Sequence, residues 1–583
     1  MAAHPVSPSP PPANAAAALL NMRMMLHSGD AAGARTLAEQ ARHAFPDDAP
    51  LADAAGDLAM KAGDVPSAEA HFSAACAAAP QVAEYAVNHA IALQQLGRHR
   101  EAVAVLARHE TAGRGDPRHA SVRALSERAL GHPTAAARWY DTALALEPTR
   151  LRALHGRARV ALERGEADAV ARFDRALAVS PGDADLWLGK AQALEVAGNV
   201  SGARLIAEQI AQQAPGFLAG LTFLSGLRLA AGEADFTAPF REAAARVPQD
   251  PNIPATHIET LAGLDHAAQA AEVAAEARRR FPGEAHFALL EAIHAGSAGD
   301  FARADAIFAT LSDDRPLRFL HEARHRLRGR DPEAAERLLV RALASDPWDI
   351  SAWALRGMAW RLAGDPRAEW LHDQPGLVQL RPLVGREGLV DEAIAELRRL
   401  HAASSMPLGQ SLRGGTQTRG ILFHRTEPVL AELHAAIRAT LETYRAQLPP
   451  RDESHPLLRH RDAPWQLLGS WSVRLTGGGA GAGDYHTAHI HPQGILSSAL
   501  YLVVPEEAGD EQLRRGWLEV GRPPPDLRLD LEPLKVLRPR EVHLALFPST
   551  LYHGTTAFGS SRGEAAERMT VAFDVVTSEE QTA

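Results

Sequence analysis

The residues best placed to do chemistry lie in "GDYHTAHIHPQGILSSALYL", residues 483–502, where His486, His489 and His491 run directly into an apolar segment. If the segment is extended, strand alternation puts His489 and His491 on one face and His486 on the other. Two neutral imidazoles on one face of a rigid element can chelate a divalent cation, and imidazole suits iron, zinc, copper and nickel alike. A third ligand must come from elsewhere. His553 in "LALFPSTLYHG" is the candidate, because an apolar strand ending at a Phe-Pro turn can bring its imidazole beside the first pair.

Arg568 in "ERMTVAFDV" is the second chemical signal. In a strand it shares a face with Thr570 and Ala572, opposite Met569, Val571 and Phe573, which would meet apolar packing. An arginine on the inner face of a small barrel is expensive unless it meets an anion, and its planar guanidinium pairs naturally with a carboxylate. The pattern dictates no acidic partner, so a carboxylate-bearing cosubstrate would resolve the charge. The chain has 27 histidines, and most are read as surface residues. His543 is read as exposed or structural and Trp471 as core. Arg413 in "SLRGGTQT" either reaches the mouth of the site or stabilises its own loop.

Elements able to hold these residues follow from the local patterns. Beyond residue 465 the chain reads as short β-type runs, "SWSVRL", "LSSALYLVVP", "GWLEVG", "HLALFP" and "RMTVAFDVV", separated by Gly, Pro and charged segments. Such a series implies a β-sandwich or barrel. Two helical patterns precede it, "GLVDEAIAELRRLHAA" and "TEPVLAELHAAIRATLETYRAQL".

Up to about residue 365 the texture is different. Pro46, Pro80, Pro117, Pro148, Pro181, Pro215, Pro248, Pro282, Pro316 and Pro347 each close an alanine-rich apolar segment, at a mean spacing of about 33 residues. Most follow a glycine by about 17 positions, which reads as helix, turn, helix and stop. Ala68, Phe72 and Ala75, then Ala136, Tyr140 and Ala143, then Ala169, Phe173 and Ala176 repeat one register, with small residues letting helices approach and a ring filling the gap. This resembles the tetratricopeptide repeat, with a weaker copy near 249–282, where the inter-helix glycine is displaced. The resemblance implies a solenoid whose groove holds a peptide or protein segment. The division expected is a disordered Pro-rich tail at 1–13, the repeat solenoid at 14–365, the β-domain at 366–577 and a tail at 578–583.

The order "SWSVRL", a glycine-rich turn, "HIHP", "SSALYL", "GWLEVG", "LALFPSTLYHG" and "ERMTVAFDV", with "QSLRGGTQT" upstream, resembles the iron(II)/2-oxoglutarate-dependent oxygenases found fused to tetratricopeptide arrays. The resemblance covers about residues 370–577. It implies a double-stranded β-helix, or jelly roll, with flanking helices. It also implies Fe(II) on His489, His491 and His553, 2-oxoglutarate on Arg568, O2 as cosubstrate, and ascorbate as a supporting reductant. Tyr501 matches the strand position from which some relatives bond 2-oxoglutarate, while a packed core tyrosine is the competing reading. His491 stands where most of the superfamily has a carboxylate, so the usual two-His-one-carboxylate triad becomes three His, or two His plus water, one negative charge short. The activity implied is decarboxylation of 2-oxoglutarate to succinate and CO2, coupled to hydroxylation of a peptide or protein side chain. Two other classes fit the same residues: an interaction scaffold with a degenerate metal-binding β-domain, and a three-His cupin-type metalloenzyme that does not use 2-oxoglutarate.

The whole chain sets outer bounds. At 583 residues it exceeds one hydrophobic core, and its formal charge of −10 argues against a nucleic-acid-binding surface as its main business. The single cysteine, Cys76, cannot support a disulfide framework. The N-terminal stretch lacks a signal-peptide pattern and no run of about 18 apolar residues occurs, so no membrane association and a cytoplasmic location are expected.

Overall fold

The computed structural model describes residues 14–577 except 313, 405, 407, 410, 478–482 and 560–565. The two expected tails, 1–13 and 578–583, lie outside the described residues. The described residues up to Leu186 form one compact unit, and those from Trp187 onward form a second.

The first unit is built of antiparallel helix pairs, among them Ala49–Lys61 with Val65–Ala78, Pro117–Ala129 with Pro133–Leu146, and Leu151–Glu163 with Ala169–Val179. Local chemistry sets the ends. Asp30, Asp48, Asp64 and Asp116 cap helix N-termini by accepting first-turn N–H bonds. Gly63, Gly131 and Gly165 turn the chain between paired helices with positive φ. The register read from the sequence is the packed one: Ala68, Phe72, Ala75, Ala136, Tyr140, Ala143, Ala169, Phe173 and Ala176 are all buried. Gly156 shows why a small residue is needed, since a Cβ there would overlap the Tyr140 ring.

The second unit contains further helix pairs and then the β-domain. In the pair Asn252–Ala262 and Ala267–Arg280 the left-handed turn position falls on Asp265, with φ of 64°, rather than on a glycine. The strands are β1 (Gln379–Pro382), β2 (Leu412–Arg413), β3 (Thr416–Gln417), β4 (Trp465–Leu475), β5 (Tyr485–His486), β6 (Leu496–Val503), β7 (Leu518–Val520), β8 (Lys535–Leu537), β9 (His543–Pro548), β10 (His553–Thr555) and β11 (Arg568–Thr577). Six of them form one antiparallel sheet in the order β1-β9-β6-β11-β4-β3, while β10-β7-β8 and β2-β5 form smaller sheets.

The large sheet has two different faces. Met569, Val571 and Phe573 of β11, with Leu500 and Leu544, pack on the helices Leu389–His401 and Pro428–Ala446. On the opposite face Tyr501, Ala545 and Phe547 meet Leu518 and Val520 of β7. The architecture is thus a helical repeat array followed by an antiparallel β-domain of jelly-roll type. No helix among the described residues is long and apolar enough to cross a membrane.

The β-domain is also anchored through buried histidines. His372 is buried, stacks where a Cβ on Gly357 would sit, and lies 3.1 Å from Thr550 Oγ1. Burial, then His455 and Arg361, push its pKa down to about 3.

Two outcomes follow. Gly156→Ala should destabilise the first unit by about 1–3 kcal/mol through overpacking against Tyr140, read as a lower thermal midpoint. His372 stays neutral when folded and is protonated when unfolded below about pH 6.5. Its contribution is therefore complete above that pH and is lost at about 1.4 kcal/mol per pH unit as the pH falls towards 3. His372→Gln should accordingly flatten the fall in stability between pH 6.5 and 4.5.

Candidate metal centre

Two backbone hydrogen bonds build the site. His489 N–H donates to the His553 carbonyl at 3.0 Å and His553 N–H to the His489 carbonyl at 2.9 Å, an isolated antiparallel bridge. It joins the loop after β5 to the first residue of β10 and sets the two rings 4.3 Å apart between centroids. The His491 ring lies 5.0 Å from each of them, and His489 Nε2 is 3.0 Å from His491 Nε2. One ring nitrogen from each of the three lies within 4.8 Å of the other two, the donor set a cation requires.

The outer nitrogens fix how the inner ones are used. His489 Nδ1 is 2.8 Å from the Thr487 carbonyl, His553 Nδ1 is 3.2 Å from the Leu551 carbonyl, and His491 Nδ1 is bonded to Asp574 Oδ1. An acceptor oxygen at Nδ1 holds the ring proton there and leaves the lone pair on Nε2. Burial and then the neighbouring imidazoles push His489 down to about 3; the same two causes hold His553 well below the ordinary histidine value. Neutral imidazoles with converging lone pairs suit a divalent metal.

Arg568 occupies the same face of β11 as Thr570 and Asp574. It is buried, its guanidinium carbon lies 5.4 Å from the Tyr501 ring centroid, and its Nε and Nη1 have no hydrogen-bond partner among the described residues. Tyr501 Oη is likewise buried without a partner among them. Burial pulls the Arg568 pKa down and pushes the Tyr501 pKa up. A buried guanidinium beside a phenol hydroxyl presents the kind of donors that an anion takes.

A cavity of about 470 Å³ opens onto two of the three histidines, lined by His489, His491, Trp471, Gln417, Arg413 and Asp574 among others. Gly263 and Asp265, from the helix pair described above, also line it, and Asp265 is ion-paired to Arg413. Arg413 therefore does both things considered for it, reaching the mouth and tying down its loop.

The structure changes three expectations. Residues 489–491 form no regular strand, and His489 and His491 share a site because of the bridge to His553 and the bond to Asp574. For the same reason strand parity does not exclude His486. Its ring lies 6.2 Å from that of His489, and Ser411 Oγ sits 3.3 Å from His486 Nδ1 and 3.2 Å from His489 Nε2. Trp471 lines the cavity, 5.4 Å from the His491 ring, and is only partly buried. His543 stays outside the site, bonding the Glu541 carbonyl at 2.8 Å. Asp574 was missed. Its signal was available as an acid of the same parity as Arg568 in an otherwise apolar strand.

Comparison with known families agrees with this layout. Residues 469–574 match the family described as "Putative 2OG-Fe(II) oxygenase", and residues 54–117 and 166–225 match tetratricopeptide repeat families. No curated protein matches the chain. Similar solved structures include a tetratricopeptide repeat protein from Parabacteroides merdae, 18% identical, covering 42% of this chain and 97% of that one, with a TM-score of 0.35. PilF of Pseudomonas aeruginosa is 18% identical, covering 36% of this chain and 96% of that one, with a TM-score of 0.32. YrrB, described as a TPR protein with an unusual peptide-binding site, is 16% identical, covering 32% and 95%, with a TM-score of 0.28. The chain thus carries tetratricopeptide repeats in its N-terminal region and a domain of the 2OG-Fe(II) oxygenase family at residues 469–574.

Proposed function

We propose that this protein is an iron(II)- and 2-oxoglutarate-dependent dioxygenase that hydroxylates a side chain of a peptide or protein recruited by its repeats. His489, His491 and His553 are the metal ligands, and Arg568 is the counter-ion of the cosubstrate's distal carboxylate. The observation that carries the reading is the pairing of two features in one β-domain: three imidazoles with each Nδ1 set beside a fixed oxygen, and a buried arginine whose Nε and Nη1 have no partner among the described residues.

The residues fit the groups. Three imidazole nitrogens would hold a divalent metal, and an anionic cosubstrate would answer the buried charge of Arg568. When bound, the iron supplies the oxidising chemistry that couples 2-oxoglutarate decarboxylation, yielding succinate and CO2, to insertion of one oxygen atom of O2 into a substrate C–H bond.

The chain's own residues bind, orient and exclude water. The Arg568 guanidinium and the Tyr501 hydroxyl offer donors to one carboxylate, from adjacent strands, since Thr570 pairs with Tyr501 across β11 and β6. Phe547, whose ring is 4.7 Å from that of His553, keeps water from one side of the histidines, and Trp471 borders the cavity on the His491 side. Because Gly263 and Asp265 line the same cavity, a substrate held by the neighbouring repeats reaches the histidines without leaving their surface. That arrangement favours a peptide or protein substrate over a free small molecule.

Purified protein with Fe(II), ascorbate and 2-oxoglutarate should release succinate, and under anaerobic conditions should show the weak visible charge-transfer band of the chelated cosubstrate. His553→Ala should abolish both. Absence of both from the unsubstituted protein under metal-replete conditions overturns the reading. Arg568→Ala should weaken 2-oxoglutarate binding by about 100-fold while leaving metal content near that of the parent, as loss of a buried charge-assisted contact. Turnover unaffected by Arg568→Ala would instead indicate a three-His metalloenzyme that does not use 2-oxoglutarate.

A further inference from the structure

We infer that Asp574 is a positioning residue for the metal centre. It holds the Nδ1 proton of His491, aims the Nε2 lone pair of that ring, and supplies one bond away the negative charge that a carboxylate ligand would provide directly. The inference rests on the metal reading above and explains how a site with histidine at position 491 keeps its charge balance.

Four observations converge on Asp574. Its Oδ1 is bonded to His491 Nδ1, while the opposite ring nitrogen, His491 Nε2, faces His489 Nε2 at 3.0 Å. The carboxylate is buried and lines the cavity. The register of β11 against β4 shifts between Ala572 and Asp574. At that irregularity the hydroxyl of Ser498 donates to the Phe573 carbonyl at 2.6 Å and accepts from the Phe573 N–H at 2.9 Å. The backbone next to Asp574 is therefore held by a dedicated side chain, which fixes the direction of the carboxylate.

Asp574 is also not spent on the other charge of its strand. Arg568 lies on the same face, but six residues at about 3.3 Å each put their backbones about 20 Å apart. The two charges serve different ends of the site, and Nε and Nη1 of Arg568 have no partner among the described residues.

Charge makes the consequence concrete. Three neutral imidazoles leave a divalent ion with its full +2, whereas two imidazoles and a carboxylate reduce it to +1. A carboxylate accepting the outer N–H of a ligand imidazole restores that balance and makes the ring a stronger donor. Carboxylate–histidine–metal triads gain about 10–100-fold in affinity in this way.

The test uses the full chain and Co(II) alone, titrated anaerobically without cosubstrate, so that the readout is independent of activity. Asp574→Asn should weaken Co(II) binding by about 10–100-fold and shift the visible ligand-field bands, with the thermal midpoint of the metal-free protein little changed. His491→Asp tests the route of action. In that background Asp574→Asn should be neutral or should tighten binding, because two facing carboxylates repel. Equal Co(II) affinity for Asp574→Asn and parent overturns the inference while leaving the metal reading intact. An equal loss from Asp574→Asn in the parent and in the His491→Asp background also overturns it, since the effect would then not pass through His491. Failure of the parent itself to bind Co(II) overturns the metal reading, and the role of Asp574 with it.

Discussion

The centre of this molecule depends on the pair of backbone hydrogen bonds exchanged by His489 and His553. Neither histidine could be held so closely by side-chain packing alone, because one follows an irregular loop and the other opens a three-residue strand. A mutual bridge fixes both Cα positions and both side-chain directions at once. Gly554 shows how tight the approach is, since a Cβ there would come within 2.9 Å of the Ala488 N and the His486 carbonyl. The outer nitrogens then do the chemical selection. Each ring sets its Nδ1 beside a fixed oxygen, and the Nε2 atoms of His489 and His491 face each other at 3.0 Å.

Strand β11 carries the second constraint. Its odd-numbered residues Met569, Val571, Phe573 and Val575 are buried against the covering helices. Their packing holds Arg568, Thr570 and Asp574 on the other face, towards the site. A one-residue slip would bury both charges in that apolar layer, so the register that builds the core is also the one that delivers the charges. Burying Arg568 is unfavourable by itself, and the stability of that packing offsets the cost of a guanidinium whose Nε and Nη1 have no partner among the described residues.

What could be read from the sequence differs between the parts for physical reasons. The helical array was legible because a repeat of about 33 residues writes the same packing solution many times, as with Phe72, Tyr140 and Phe173. The two-faced character of β11 was legible because strand alternation is local. Strand parity does not settle the direction of His486, because the shape of the segment that follows it is set by a bridge to residue 553, while the cluster of converging ring nitrogens is His489, His491 and His553. Asp574 was missed because its role needs His491 across the fold and the Ser498 hydroxyl at a strand irregularity. Asp265 was invisible as a cavity residue, since nothing in a repeat pattern says which turn a later domain will press against.

Within the second unit the repeats and the β-domain are joined by a cluster of charged side chains. Arg324 bonds Asp526 through Nε at 2.8 Å and Nη2 at 2.5 Å, and its Nη1 reaches Tyr552 Oη at 2.9 Å. Arg328 adds a bond to Asp526 Oδ2 at 2.7 Å and another to its carbonyl at 2.8 Å. Burial alone would raise the Asp526 carboxyl, but the two arginines hold it down at about 2. Such a cluster is costly to half-break, because removing Asp526 leaves the buried Arg328 without its carboxylate. Tyr552 is the residue immediately before His553, so the helix Pro316–Arg328 grips the chain one residue from the candidate metal ligand. A linker would have sufficed merely to keep a binding module near an enzyme. A partly buried multi-charge joint at this position makes the repeats part of the scaffold that holds the histidine in place.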